Sequence, residues 1–257
     1  MANYDQNRIR TGAATQDLSI DQGLRAYMLS VYNYMGAGLA ITGVVAWVVS
    51  QMAIAAAGAG VAALPNGIEL TQLGATLYSS PLKWVVMLAP LGMVMLLSFG
   101  VQRMSFGAAQ IAFWSFAALM GLSLSSIFLV YTGASITQTF FVTAVAFGAL
   151  SLYGYTTKRD LGPIGSFLIM GLIGIIVAML VNLWLQSSAL QFAVSVIGVL
   201  VFAGLTAYDT QRIKEMYFEG DDVSTMGKKA IMGALSLYLD FINLFLMLLR
   251  FMGNQRG

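Results

Sequence analysis

Asp240 stands alone among apolar residues in AIMGALSLYLDFINLFLMLLRF, residues 230–251. The flanking charges are Lys229, eleven residues before it, and Arg250, ten after. On a helix rising 1.5 Å per residue each lies about 15 Å away, which predicts Asp240 near the centre of a hydrocarbon layer ~30 Å thick. A carboxylate there costs roughly 2.5 kcal/mol or more unless it is neutralised or paired inside protein. A second acid, Asp209, closes another apolar run in GLTAYDTQRIK, and Arg103 closes a third. Asn243 follows Asp240 by three residues and shares its helix face, so it is a candidate supporting group.

The rest of the composition narrows the chemistry further. The chain has no cysteine and no histidine. That removes disulfides, a thiolate nucleophile, the commonest metal ligand and the usual neutral-pH switch. A pH response near neutrality then falls to a carboxylate. Glu219, Asp221 and Asp222 lack the alternating acids of a calcium loop and read as a solvated turn. No cofactor and no nucleic-acid partner are expected. The comparison with aspartyl proteases, whose two acids share a proton, fails on motif, because neither Asp209 nor Asp240 lies in a G-x-G-D-like context. The chain is not expected to be an enzyme.

The elements that must position these residues are membrane helices. The chain is 58% hydrophobic and 9% charged, with mean hydropathy +0.79, against about 25% charged in a soluble domain. Residues 1–22 read as a polar cytoplasmic tail and 23–257 as one membrane domain. Seven spans are predicted at about 26–50, 82–101, 108–131, 136–156, 164–186, 189–209 and 230–251. The stretch between the first two contains Pro65, Asn66 and Gly67 and reads as a loop outside the hydrocarbon. Ten of the thirteen basic residues fall on one side: Arg8, Arg10, Arg25, Arg103, Lys158, Arg159, Arg212, Lys214, Lys228 and Lys229. The positive-inside rule then predicts a cytoplasmic N-terminus. Arg250 and Arg256 fit that count poorly.

ALSLYLDFINLFLMLLRF around Asp240 and GLTAYDTQRIK around Asp209 resemble the two C-terminal signature segments of the Bax inhibitor-1 family, also called the transmembrane BAX inhibitor motif family. FAALMGLSLSSIFLVYT in the third span is similar to that family's third helix. The resemblance implies an all-α membrane protein in which two three-helix layers wrap a central C-terminal helix. It implies a pH-sensitive calcium leak in a bacterial inner membrane, with calcium and protons as its partners. Its sensor would be a hydrogen-bonded aspartate pair, here Asp209 and Asp240, with Arg103 beside the first. Two carboxyls about 3 Å apart repel by roughly 5 kcal/mol at an effective dielectric near 20, so the implied pair holds one proton and titrates as a unit. Gaining the proton lets two helices bond and losing it drives them apart, which makes the implied pair a gate. Calcium takes about six to eight oxygens, so Asp209 and Asp240 are expected to offer it a transient contact, not tight storage. The alternative the resemblance implies is a regulator of a membrane-bound protease or stress response that conducts no ions. One tension follows from counting depth. Asp209 falls at the edge of the sixth span and Asp240 near mid-bilayer, about 15 Å apart along the normal. They can meet only if the seventh helix is shifted toward the cytoplasm or the sixth is tilted.

Overall fold

The computed structural model describes residues 2–56, 58–64 and 66–256, with side chains from Gln22 onward. The polar tail expected over 1–22 thus lies, but for Gln22, outside the described side chains. The long helices are α1 (Ala2–Ala53), α3 (Leu82–Gly100), α4 (Phe106–Leu124), α6 (Gly133–Thr156), α7 (Gly162–Leu185), α8 (Ser188–Glu215) and α9 (Val223–Met252). Among the described residues seven spans are long and apolar enough to cross a membrane, the first of them Gln22–Ala53. The chain is an all-α membrane protein, as its hydropathy predicts.

Side-chain caps set several helix starts by accepting otherwise unpaired N–H groups of the first turn. Ser105 caps α4, Thr132 caps α6, Ser187 caps α8 and Asp222 caps α9. The loop expected between the first two spans has local order of its own. It folds into an antiparallel hairpin of β1 (Ala62–Ala63) and β2 (Glu69–Leu70), followed by the short helix α2 (Gln72–Tyr78). Gly67 takes φ +79° in the hairpin turn, where a side chain would be strained.

α9 is the innermost helix. It packs on α8, α1, α6 and α4, while α3 leans mainly on α4 and α7 mainly on α8. The bundle has a basic end, carrying Arg103, Lys158, Lys214 and Lys229, and a far end with the hairpin and the turn between α7 and α8. The short helix α5 (Ile127–Val130) leads into α6 at that far end. The chain's C-terminal residues are stitched to this corner. Thr132 N–H donates to Asn254 O at 3.1 Å, and Arg256 N–H to Val130 O at 2.8 Å. Asn254 N–H donates to Ser135 Oγ at 2.8 Å.

Candidate functional site

The register between α8 and α9 decides whether the two acids can meet. Gly198 lies against Met247, and Ile213 against Gly233. Lys229 Nζ donates to Met216 O at 3.0 Å. In that register Asp209 sits opposite the turn of α9 that ends in Asp240. The predicted offset in depth disappears for two reasons. α8 does not stop at 209 but continues to Glu215, which puts Asp209 well inside the helix. α9 starts at Val223 rather than 230, so its first turns extend past the end of α8 and Lys229 marks the level of Met216.

The charged residues after Asp209 belong in the helix for a physical reason. Arg212 and Lys214 occupy its last turn, where cations suit the negative end of the helix dipole. Lys214 Nζ donates to Tyr155 O at 2.9 Å and lies 5.2 Å from the Tyr155 ring centre. The side chain of Gln211 bridges to the turn before α7: Oε1 accepts from Leu161 N–H and Nε2 donates to Arg159 O, each at 2.8 Å.

Asp240 is 5% exposed, and Asp209 is partly exposed. The two carboxyls lie within hydrogen-bonding reach of each other. Asp240 Oδ2 is buried and, among the described residues, finds no N–H or hydroxyl donor. Two ionised carboxylates offer only acceptors, so this contact is a hydrogen bond only when one of them carries a proton. The cation that acts on Asp209 is Arg212, three residues along the same helix.

Arg103 stands exposed at the end of the short 3-10 turn after α3 and, among the described residues, makes no ion pair with Asp209 or any other acid. Its helix leans mainly on α4. Asn243 does not support Asp240 either. Its Nδ2 donates to Leu239 O at 2.8 Å, one turn back on its own helix.

Hydroxyl contacts that the sequence reading passed over tie the neighbouring helices together here. Thr42 Oγ1 donates to Ala117 O at 2.8 Å and lies 2.6 Å from Tyr238 Oη, joining α1, α4 and α9 two residues from Asp240. Tyr32 Oη is 2.6 Å from Ser151 Oγ, which is 2.9 Å from Thr210 Oγ1, joining α1, α6 and α8 one residue from Asp209. The usable signal was polar hydroxyls in apolar runs near the acids, since such groups bond across helices in a membrane.

The acidic turn is spent on structure. Asp221 pairs with Lys229 at 2.5 Å. Asp222 caps α9, accepting from Ser224 N–H at 3.0 Å and from the Thr225 hydroxyl at 2.5 Å. The Thr225 hydroxyl, with the backbone N–H groups behind it, holds the Asp222 carboxyl below the usual range. Among the described residues no group of three or more histidine, cysteine, aspartate or glutamate side chains gathers as a metal site.

Comparison with known proteins places this architecture. The family model described as "Inhibitor of apoptosis-promoting Bax1" matches residues 24–257. The inner membrane protein YbhL of Escherichia coli is 51% identical over 91% of this chain and 94% of its own. An uncharacterized protein of Rickettsia prowazekii is 47% identical over 94% of this chain and 95% of its own. One from Caulobacter vibrioides is 46% identical over 93% of each. A match running from the first span through both acid-bearing helices, joined by near full-length relatives, means that this chain belongs to the Bax inhibitor-1 family.

Proposed function

We propose that the protein is a pH-sensitive calcium leak of a bacterial inner membrane, gated by the Asp209–Asp240 pair, with the basic end of the bundle in the cytoplasm. One observation carries this reading: Asp240 Oδ2 is buried without an N–H or hydroxyl donor among the described residues, and its carboxyl neighbour is Asp209. With one proton present, the pair bonds α8 to α9. With none, two negative charges face each other and repel by roughly 5 kcal/mol at about 3 Å and an effective dielectric near 20. That repulsion is enough to shift a two-state equilibrium almost completely.

The doubly charged state is also the one that attracts a divalent cation. Two carboxylates supply too few oxygens to hold calcium in competition with water, so the ion passes on. Tyr238, fastened to Thr42, keeps this part of α9 in place while the contact opens and closes. The membership in the family and the inner-membrane name of the Escherichia coli relative support the setting.

Calcium entry into dye-loaded proteoliposomes between about pH 6 and pH 8 tests the reading. Flux should change with pH in the unmodified protein, and the dependence should vanish in both Asp209→Asn and Asp240→Asn. Each amide keeps a donor and an acceptor, as a protonated acid does, and cannot ionise. No calcium flux at any pH, or a pH profile that both variants share with the parent, sinks the proposal.

A further inference from the structure

Arg250 occupies the last turn of α9, at the far end of the bundle and ten residues from Asp240. Among the described residues its guanidinium has no carboxylate partner. Its polar contact is Nη1 to Met179 Sδ at 3.6 Å. It opens onto a cavity of about 380 Å³ between α7, α8 and α9. At about 30 Å³ per water, that is room for roughly a dozen waters, much more than one small ion needs.

The lining of this cavity sorts by chemistry. Asn182 and Gln191 line it together with Arg250, and among the described residues no acid does. Asn182 Oδ1 is spent on Ser187 N–H at 2.9 Å, so its NH₂ donor remains. Gln191 sits in the opening turns of α8, the positive end of that helix dipole. The remaining wall is apolar, formed by Ile176, Leu183 and Val194. Ile176 and Leu183 are also exposed on the lipid-facing side of α7. Donors at one corner and hydrocarbon along the wall match an amphiphile with an anionic head.

Depth agrees with this. Met179 lies six residues before the end of α7, about 9 Å inside it. α7 has 24 residues and is about 36 Å long, so it overshoots a ~30 Å hydrocarbon layer slightly at each end. A guanidinium at that level is within one extended side chain of the phosphate layer, and it is costly there without an anion.

We propose that this cavity binds an anionic phospholipid of the far leaflet, its phosphate held by Arg250 with the amide donors of Asn182 and Gln191, its acyl chains lying along α7. A free phosphate would satisfy the donors and leave the apolar wall uncovered, so the lipid is the occupant favoured. The site lies apart from the acid pair and stands whether or not that pair gates an ion.

The test uses the full-length chain in a neutral detergent, titrated with phosphatidylglycerol, phosphatidylcholine or inorganic phosphate. Lipid retention is counted by native mass spectrometry, and thermal midpoints are read in parallel. Phosphatidylglycerol should be retained and should raise the midpoint, phosphatidylcholine should do so more weakly, and inorganic phosphate should do neither. Arg250→Gln should weaken phosphatidylglycerol binding by about tenfold or more, as loss of a charge-assisted hydrogen bond predicts. Gln191→Met, which keeps the cation, should weaken it less, and Lys83→Gln at the same end should leave it unchanged. Equal retention by the parent and Arg250→Gln overturns the proposal. So does a midpoint rise with inorganic phosphate alone, which would make this a free-anion site, and so does the absence of any retained phosphatidylglycerol.

Discussion

α7 and α9 are both long enough to cross a bilayer, yet they occupy opposite environments. The most apolar stretch of α7 has mean hydropathy 2.7 and is 17% buried within the protein; that of α9 has mean hydropathy 1.9 and is 67% buried. The greasier helix is therefore the outer one. In water the ranking would be reversed, because hydrophobic surface would be driven inward. In lipid that drive is absent, and helices associate through close packing and hydrogen bonds. Among the large apolar side chains buried in this protein accordingly lie hydroxyls such as those of Thr42, Ser151, Thr206 and Thr210, and the carboxyl of Asp240.

The strongest way to break this contrast is with volume. A Cβ at Gly154 would run into the backbone carbonyl of Ala207, where α6 meets α8. Gly154→Val should cost about 3 kcal/mol, read as a large fall in thermal midpoint in detergent. Gly174 on α7 has open space at the same position, and Gly174→Val should stay within about 0.5 kcal/mol. Equal losses at the two glycines would end the distinction between inner and outer helices.

Hydrogen bonds give a smaller version of the same test. Thr42→Val removes two partners at once and leaves the buried Tyr238 hydroxyl unpaired, at a cost of about 1–3 kcal/mol. Ser166→Ala on α7 deletes only an exposed bond to Gly162 O within its own helix, and should hardly move the midpoint.

The smallest effect concerns the helix starts. α9 opens on the Asp222 cap, whereas α7 opens without a side-chain cap. Asp222 has a lower pKa folded than unfolded. Its contribution is therefore complete above the ordinary Asp range near about pH 4 and fades as pH falls through the folded value. Asp222→Ala should lower the midpoint slightly at pH 7 and lose its effect in strong acid. A deficit that grows on acidification would contradict the cap.

Much of the fold was legible because lipid imposes length and hydropathy on each span. Asp240 was legible for the same reason: an ionisable residue in a 22-residue apolar run has few bland explanations. The end of α8 was not, because Arg212 and Lys214 look like loop residues until the helix dipole and the Tyr155 carbonyl are seen to hold them. That Arg103 makes no ion pair among the described residues was not legible, because its position in the chain says nothing about which neighbour its helix chooses. The two-residue strands β1 and β2 are too short to show any periodicity. The contacts of Thr42 with Tyr238 and of Ser151 with Tyr32 join residues 196 and 119 apart in the chain.

The clasp at the C-terminus has a mechanical meaning. One end of α9 is fastened through Lys229 to Met216 and Asp221, and the other runs into residues stitched to the corner between α5 and α6. Ties at both ends oppose sliding of this rod along its own axis. The opening proposed for the acid pair would then fall to the helices around it, turning or leaning away with α9 as their axle.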